Sequence, residues 1–395
     1  MAELCIINGT CITPFKIIEK GIIVIGNDRI RYVGSSDGYS IPDNAAIINA
    51  EGKFVCPGFI DLQVNGGNGS DVLDGTQAAF ETIAKFNAKH GTTSLLLTLV
   101  SASIAKTTSV LNEIRNYQNG TDGAKVLGAH LEGPYISMEQ RGAHNPKYIH
   151  RANPDHYRNF WDYTDVVKII TAAPEVDGVL EMAREFSERN VVMSIGHSDG
   201  TYGDVKKAID AGFSMVTHLY CVMSTLRRTG AEKIPGILEG ALTFDELNVG
   251  IIGDGFHLPE GSLKVVLKAK DRRNIFLTTD AIRAAGLPDG EYILGSFEDQ
   301  HKFVVENGAA KTIDRKLYAG STATMERSVR NLMQLGGLTM QEAVQMATMN
   351  PAICLNIESQ VGSIEQGKLA DIVILNSNFE VLQTIINGKT AYCAG

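Results

Sequence analysis

Apolar positions fall into three textures along the chain. Over residues 1–55 they form short runs cut by turn residues. Segments 3–7, 21–25, 30–33 and 46–49 are predicted strands, with Asn8-Gly9 and Gly26-Asn27 marking turns. The same texture returns at 372–375 and 381–388, so residues 1–55 and 355–395 are expected to form one small β-sandwich domain. Between them, residues 56–354 alternate β-branched apolar runs with amphipathic stretches, the βα rhythm of a parallel barrel. Eight runs qualify as strands: 59–64, 93–99, 125–131, 166–171, 191–195, 215–219, 248–252 and 275–279. Each is followed by polar or charged residues. That favours a closed (β/α)8 TIM-like barrel, an α/β fold, over an open doubly wound sheet with one phosphate-binding glycine loop.

Four of the strand ends carry candidate chemistry. They are His130-Leu131-Glu132-Gly133-Pro134, Gly196-His197-Ser198, Thr217-His218-Leu219 and Thr279-Asp280-Ala281. A barrel of this kind assembles its active site at the carboxyl ends of its strands. Glu132, His197 and His218 offer one carboxylate and two imidazoles, donors suited to one divalent ion, Zn2+ or Fe2+. Such an ion makes water nucleophilic and polarises a carbonyl. Asp280, on the last strand, is positioned to take a proton from water and return it to a leaving nitrogen.

With these residues in view, the chain resembles the amidohydrolase superfamily and, within it, the N-acetylglucosamine-6-phosphate deacetylases. The matching segments run in order from Pro57-Gly58-Phe59-Ile60-Asp61-Leu62-Gln63 through His130-Leu131-Glu132-Gly133-Pro134, Gly142-Ala143-His144-Asn145-Pro146 and Asp254-Gly255-Phe256-His257 to Ala319-Gly320-Ser321. His-Leu-Glu-Gly-Pro is the branch-specific piece; the tail from Val361 to Asp371 is common to the superfamily. The resemblance implies removal of the acetyl group from an N-acetylated amino sugar phosphate, with N-acetylglucosamine 6-phosphate the expected substrate. It also implies a homodimer. Many superfamily members carry His-x-His on the first strand and hold a second metal. This chain has Gln63-Val64-Asn65 there, which implies a single-metal site with zinc expected and Gln63 ordering water or substrate beside it. His144 and His257 are implied as substrate contacts.

The phosphate-binding part of the family pattern is altered. Where the family continues after Thr-His-Leu-Tyr with Asn-Ala-Met, this chain has Cys221-Val222-Met223, and Lys233 stands where an arginine is usual. A thiol is a weak donor and does not replace an amide. Cys221 and Val222 nevertheless keep the subsite's position, and Arg227-Arg228 in the lengthened loop can supply bidentate phosphate contacts. Arg283 is a further cation expected near the mouth. Two other readings fit the same residues: a deacetylase for a different N-acetyl amino sugar or small N-acyl compound, and a non-catalytic sugar-phosphate-binding barrel. Retention of Asp280 beside all three donors disfavours the latter.

Bulk properties change this picture little. The chain has 395 residues, 44% of them hydrophobic, enough for a large core. A net charge of -9 without a basic patch offers no nucleic-acid footprint. No run approaches the length of a membrane span. Scattered cysteines at 5, 11, 56, 221, 354 and 393, and the lack of a signal-like amino terminus, lead to the expectation of a reduced, cytoplasmic protein.

Overall fold

In the computed structural model, residues 3–13, 15–37, 39–295 and 301–395 are described. Eight parallel strands follow one another around a barrel: Phe59–Val64, Thr92–Val100, Lys125–Glu132, Val167–Ala172, Val192–Ile195, Phe213–Val216, Asn248–Ile252 and Ile275–Thr278. The last closes onto the first just beyond its end, where Ala281 bridges Val64 and the Asp280 amide donates to the Gln63 carbonyl at 3.0 Å. Helices pack outside. In Val179–Ser187 the buried residues are Val179, Met182, Ala183 and Phe186, the i, i+3, i+4, i+7 stripe of a helix with one face on a core. Among the described residues, no helix is long and apolar enough to cross a membrane.

Seven strands match their expected positions to within one residue at either end, and two of them, Phe59–Val64 and Asn248–Ile252, match fully. The run expected at 215–219 lies instead at Phe213–Val216. The chain leaves the sheet early because His218 adopts a left-handed conformation, φ 30°, which no strand accommodates.

Inside the barrel the two-residue period of a strand stacks an apolar layer beneath a polar one. Leu96, Ile169, Met215 and Phe276 belong to one buried cluster, and two residues further along the same strands come Thr98, Thr171, Thr217 and Thr278. His130 belongs to this upper layer. Its Nδ1–H donates to the Leu62 carbonyl at 3.0 Å and its Nε2 meets the Thr171 hydroxyl at 2.7 Å. Burial pushes its pKa down to about 4, so it is a neutral, fully satisfied core residue. Glu132 is the next inward position on that strand.

The two ends of the chain form one eight-stranded sheet, in which Phe54–Pro57 pairs with both Leu4–Ile12 and Ile372–Leu375. Phe54–Pro57 therefore runs across the expected boundary between residues 55 and 56. A third sheet was not foreseen. Gly290–Ile293, Lys302–Glu306 and Ala309–Thr312 form an antiparallel unit between the last barrel strand and the helix Met325–Gly336.

Candidate active site

Three short left-handed turns build the centre. His197, His218 and Asp280 each lie two residues past the end of a barrel strand and have φ of 50°, 30° and 51°. This conformation is costly for residues with a Cβ and tends to persist where function requires it. Tyr220, Val222 and Arg315 share it and, like the other three, line one cavity of about 430 Å³. Among the described residues other than glycine and asparagine, only Lys20 and Phe379 adopt it elsewhere.

The floor of the cavity is a convergence of bare donors. Glu132 Oε1 lies 3.1 Å from His197 Nε2 and 2.9 Å from His218 Nε2, and the two Nε2 atoms are 3.2 Å apart. His197 Nδ1 faces the Gln140 carbonyl at 2.9 Å, an atom that only accepts, so the ring proton is on Nδ1 and Nε2 presents a lone pair. His218 Nδ1 is buried without a partner. Three donor atoms at these separations form the face of a tetrahedron whose edges would be about 3.3 Å for bonds near 2.0 Å. The set fits a divalent cation. His144 brings a ring nitrogen within 4.8 Å of the Glu132 and His197 donors as well. Its Nδ1, however, accepts from the Ser101 amide at 3.3 Å and meets the Ser101 hydroxyl at 2.9 Å, so the better-matched third donor is His218.

Asp280 stands beside this set, with its Oδ1 accepting from Asn65 Nδ2 at 2.6 Å and Gln63 Nε2 at 3.1 Å. Gln63 also donates to Glu132 Oε1 at 3.0 Å, so one amide spans the two carboxylates. Burial and the neighbouring Glu132 charge push the Asp280 carboxyl well above the usual carboxylate range. Glu132 goes the other way. Burial alone would raise it, but its close contacts with the His197 and His218 rings hold it well below. Two carboxyl groups driven apart in this manner suit different tasks, one as an anionic ligand and one as a proton carrier. Burial holds His144 neutral, pushed down to about 3, with its proton on Nε2 because Nδ1 is accepting.

The remaining candidates separate into two groups. Cys221 and Val222 line the cavity wall, and His257 lines its upper part with its ring 4.6 Å from that of Tyr318 and its Nδ1 2.7 Å from Asp254. Arg227 and Arg228 do not line it. They occupy an exposed hairpin formed by Arg227–Thr229 and Glu232–Ile234, and Arg227 pairs with Asp199 at 2.7 Å. Asp199 also accepts from Gln140, whose carbonyl faces His197, so Arg227 braces the loop behind a strand-end histidine. Arg283 is not at the mouth either. It is buried and donates to Asp74 at 2.7 Å and to the carbonyls of Gly69 and Gly295.

Sequence reasoning assigned no role to Asn65, although the two-residue period from Gln63 places both on the same inward face. It also overlooked Ser101, which orients His144. Among the described residues, the lysines and arginines that line the cavity are Lys311, Arg315 and Lys316, from the unforeseen third sheet and its outgoing turn.

A parallel barrel whose strand ends hold an imidazole–carboxylate set beside a second buried carboxyl group fits the class of metal-assisted hydrolases. The chain belongs to the amidohydrolase family, whose model matches residues 54–391. It is 33% identical over 354 residues to the N-acetylgalactosamine-6-phosphate deacetylase of Escherichia coli O157:H7, covering 89% of this chain and 91% of that one. It is 32% identical to the N-acetylglucosamine-6-phosphate deacetylase of Vibrio furnissii, covering 94% and 91%. Among solved structures, the N-acetylglucosamine-6-phosphate deacetylase of Pasteurella multocida superposes with a TM-score of 0.91 at 29% identity, covering 98% of this chain and 99% of that chain. A mutant of the Mycobacterium smegmatis enzyme, solved with N-acetyl-D-glucosamine-6-phosphate, gives 0.88 at 27% identity, covering 99% and 100%.

Proposed function

We propose that this enzyme hydrolyses the acetamide of an N-acetylhexosamine 6-phosphate, foremost N-acetylglucosamine 6-phosphate, to the free amino sugar phosphate and acetate. The observation that carries this reading is the convergence of Glu132 Oε1, His197 Nε2 and His218 Nε2 within 3.2 Å of one another, with Asp280 alongside. Those three residues would hold one divalent cation, zinc in the first place and ferrous iron in the second. When bound, it supplies Lewis acidity that polarises the acetamide carbonyl and makes water acidic enough to attack near neutral pH.

The rest is done by the chain's own groups. Asp280 accepts a proton from the attacking water. Gln63 and Asn65 engage its Oδ1, leaving Oδ2 for proton exchange. As the C–N bond breaks, the same carboxyl delivers the proton to the departing amine, so water's oxygen ends on the acyl carbon and its proton on nitrogen. The Nε2–H of His144 donates to the carbonyl oxygen as negative charge grows there. His257 contacts the sugar.

Acetate release from N-acetylglucosamine 6-phosphate, N-acetylgalactosamine 6-phosphate and their unphosphorylated sugars tests the reading, with metal per chain measured in parallel. Turnover of a phosphosugar, abolished together with the bound metal in His218→Ala, is the expected result. No turnover of any N-acetyl sugar by the metal-loaded protein would overturn it. Preference for the galacto substrate would select the second reading, which the similarity to the Escherichia coli enzyme favours. By the same resemblance we propose a cytoplasmic homodimer, to be checked by sedimentation.

A further inference from the structure

The barrel is laced unevenly. Parallel ladders join each strand to the next, from Phe59–Val64 round to Ile275–Thr278, but among the described residues these first and last strands share none. The seam between them is closed by other means. One is backbone beyond the strand ends, where the Asn65 and Gly66 amides donate to the Ala281 carbonyl at 2.8 and 2.9 Å. The other is a side chain. Asp61, fully buried on the first strand, reaches across to the last. Its Oδ1 accepts from the Thr278 hydroxyl at 2.7 Å and the Thr279 amide at 3.2 Å, and its Oδ2 accepts from the Thr279 hydroxyl at 2.5 Å. A fourth bond, from the Gln63 amide to Oδ1 at 3.2 Å, ties the group to its own strand. Burying a carboxyl group is costly unless its oxygens are satisfied, and here both are.

This seam separates the proton carrier from the groups that orient it. Gln63 and Asn65 belong to the first strand and its outgoing turn, Asp280 to the turn after the last, and both amides converge on Asp280 Oδ1. Their aim therefore depends on how the two strands sit against each other. Thr279 immediately precedes Asp280, and its hydroxyl also accepts from the Ala281 amide at 3.2 Å. The left-handed turn at Asp280 is thus bracketed by a hydroxyl that Asp61 holds. The cation donors lie elsewhere. Glu132, His197 and His218 come from strands laddered on both sides.

We propose that Asp61 is a positioning residue for the proton-transfer step: it locks the unladdered seam and, through Thr279, the turn that carries Asp280. The inference rests on the deacetylase reading above, because the part Asp280 plays in the reaction gives the seam its consequence. Loosening the seam should impair proton transfer and leave the cation donors in place.

The test measures kcat, KM for N-acetylglucosamine 6-phosphate and metal per chain in Asp61→Ala, Asp61→Asn and Thr279→Val, with hydrogen exchange followed along the chain. Asp61→Ala should lower kcat about 100-fold and Thr279→Val about tenfold, as for residues that orient a reacting group, with KM and metal content as in wild type. Asp61→Asn keeps an acceptor for the three donors at Oδ1 and should recover most of the loss. Exchange should quicken over residues 61–66 and 278–282 in Asp61→Ala and stay unchanged around Glu132, His197 and His218. Loss of metal in step with kcat, or an effect on KM alone, would overturn the proposal, as would Asp61→Asn being as impaired as Asp61→Ala. If Asp61→Ala yields no folded protein, Thr279→Val decides, and wild-type kcat there overturns the proposal. In each of these cases the deacetylase reading stands; failure of the wild type on every N-acetyl sugar removes that reading instead.

Discussion

The floor and the rim of the cavity are made differently. At the floor, Glu132, His197, His218 and Asp280 are nearly inaccessible to solvent; Glu132 and Asp280 accept hydrogen bonds from the buried amides of Gln63 and Asn65, and His197 donates to the Gln140 carbonyl. At the rim, Arg315 and Lys316 are exposed and project from a turn added to the barrel. In the low-dielectric floor one misplaced hydrogen bond is expensive; at the rim, water and salt absorb much of any single change. Residues of the turn can thus change without disturbing the buried floor, whereas residues of the floor cannot change without disturbing one another.

The sharpest way to break this contrast is at its centre. Asp280→Asn should lower kcat about 10³-fold while metal per chain stays as in wild type, since it removes the proton carrier and leaves the donor set. A variant retaining most of its activity would deny the floor its special status. Next comes a cation that belongs to neither region. Arg283→Leu should destabilise the fold by about 3 kcal/mol, because it leaves Asp74 and Asp71 without their buried partner. Thermal unfolding reads this, and preference for the phosphosugar should not move. Burial raises the folded-state pKa of Asp71 to about 6 even with Arg283 lowering it. The folded protein therefore binds that proton more tightly than the unfolded chain, and this contribution to stability is present at low pH and fades as pH rises from about 4 through about 6. The damage in Arg283→Leu should accordingly be smaller at pH 5 than at pH 8.

Asn65→Ala is expected to cost about 10- to 100-fold in kcat with little change in KM, as for other groups that orient a reacting side chain. An effect confined to KM would move Asn65 from the proton path to substrate binding. Smallest is Arg227→Ala. Its ion pair with Asp199 is substantially exposed, which limits its worth to about 1 kcal/mol or less, so kcat/KM should fall less than about threefold. A tenfold rise in KM for the phosphosugar alone would mean that the outer hairpin reaches substrate.

Legibility followed the same division. Barrel strands are readable because apolar, β-branched runs of the right length recur eight times, and the floor residues because each interrupts such a run with a side chain that can bind metal or carry a proton. Glu132, His197, His218 and Asp280 have no better reason to stand there. Asn65 is hard to read because a lone amide two residues past Gln63 has no motif of its own; only the two-residue period places it on the same inward face. Arg283 misled because it follows Thr-Asp-Ala-Ile closely, yet the chain turns after Ala281 and sends it behind the wall. The Arg315 turn looks in sequence like any solvated charge run. Only its attachment at Ser321 to the Asp280 backbone, a pairing across forty residues, brings it to the rim of the cavity.

The left-handed strand ends imply a conflict between folding and activity. A histidine at positive φ costs about 1 kcal/mol that asparagine or glycine would largely avoid. His218 adds a buried ring nitrogen with no partner. In metal-stripped protein, His218→Asn should therefore melt no lower than wild type, and by this account slightly higher. Random drift screened only for a folded, soluble product would erode this enzyme's catalytic residues first, because they are the positions at which the polypeptide gains by giving them up.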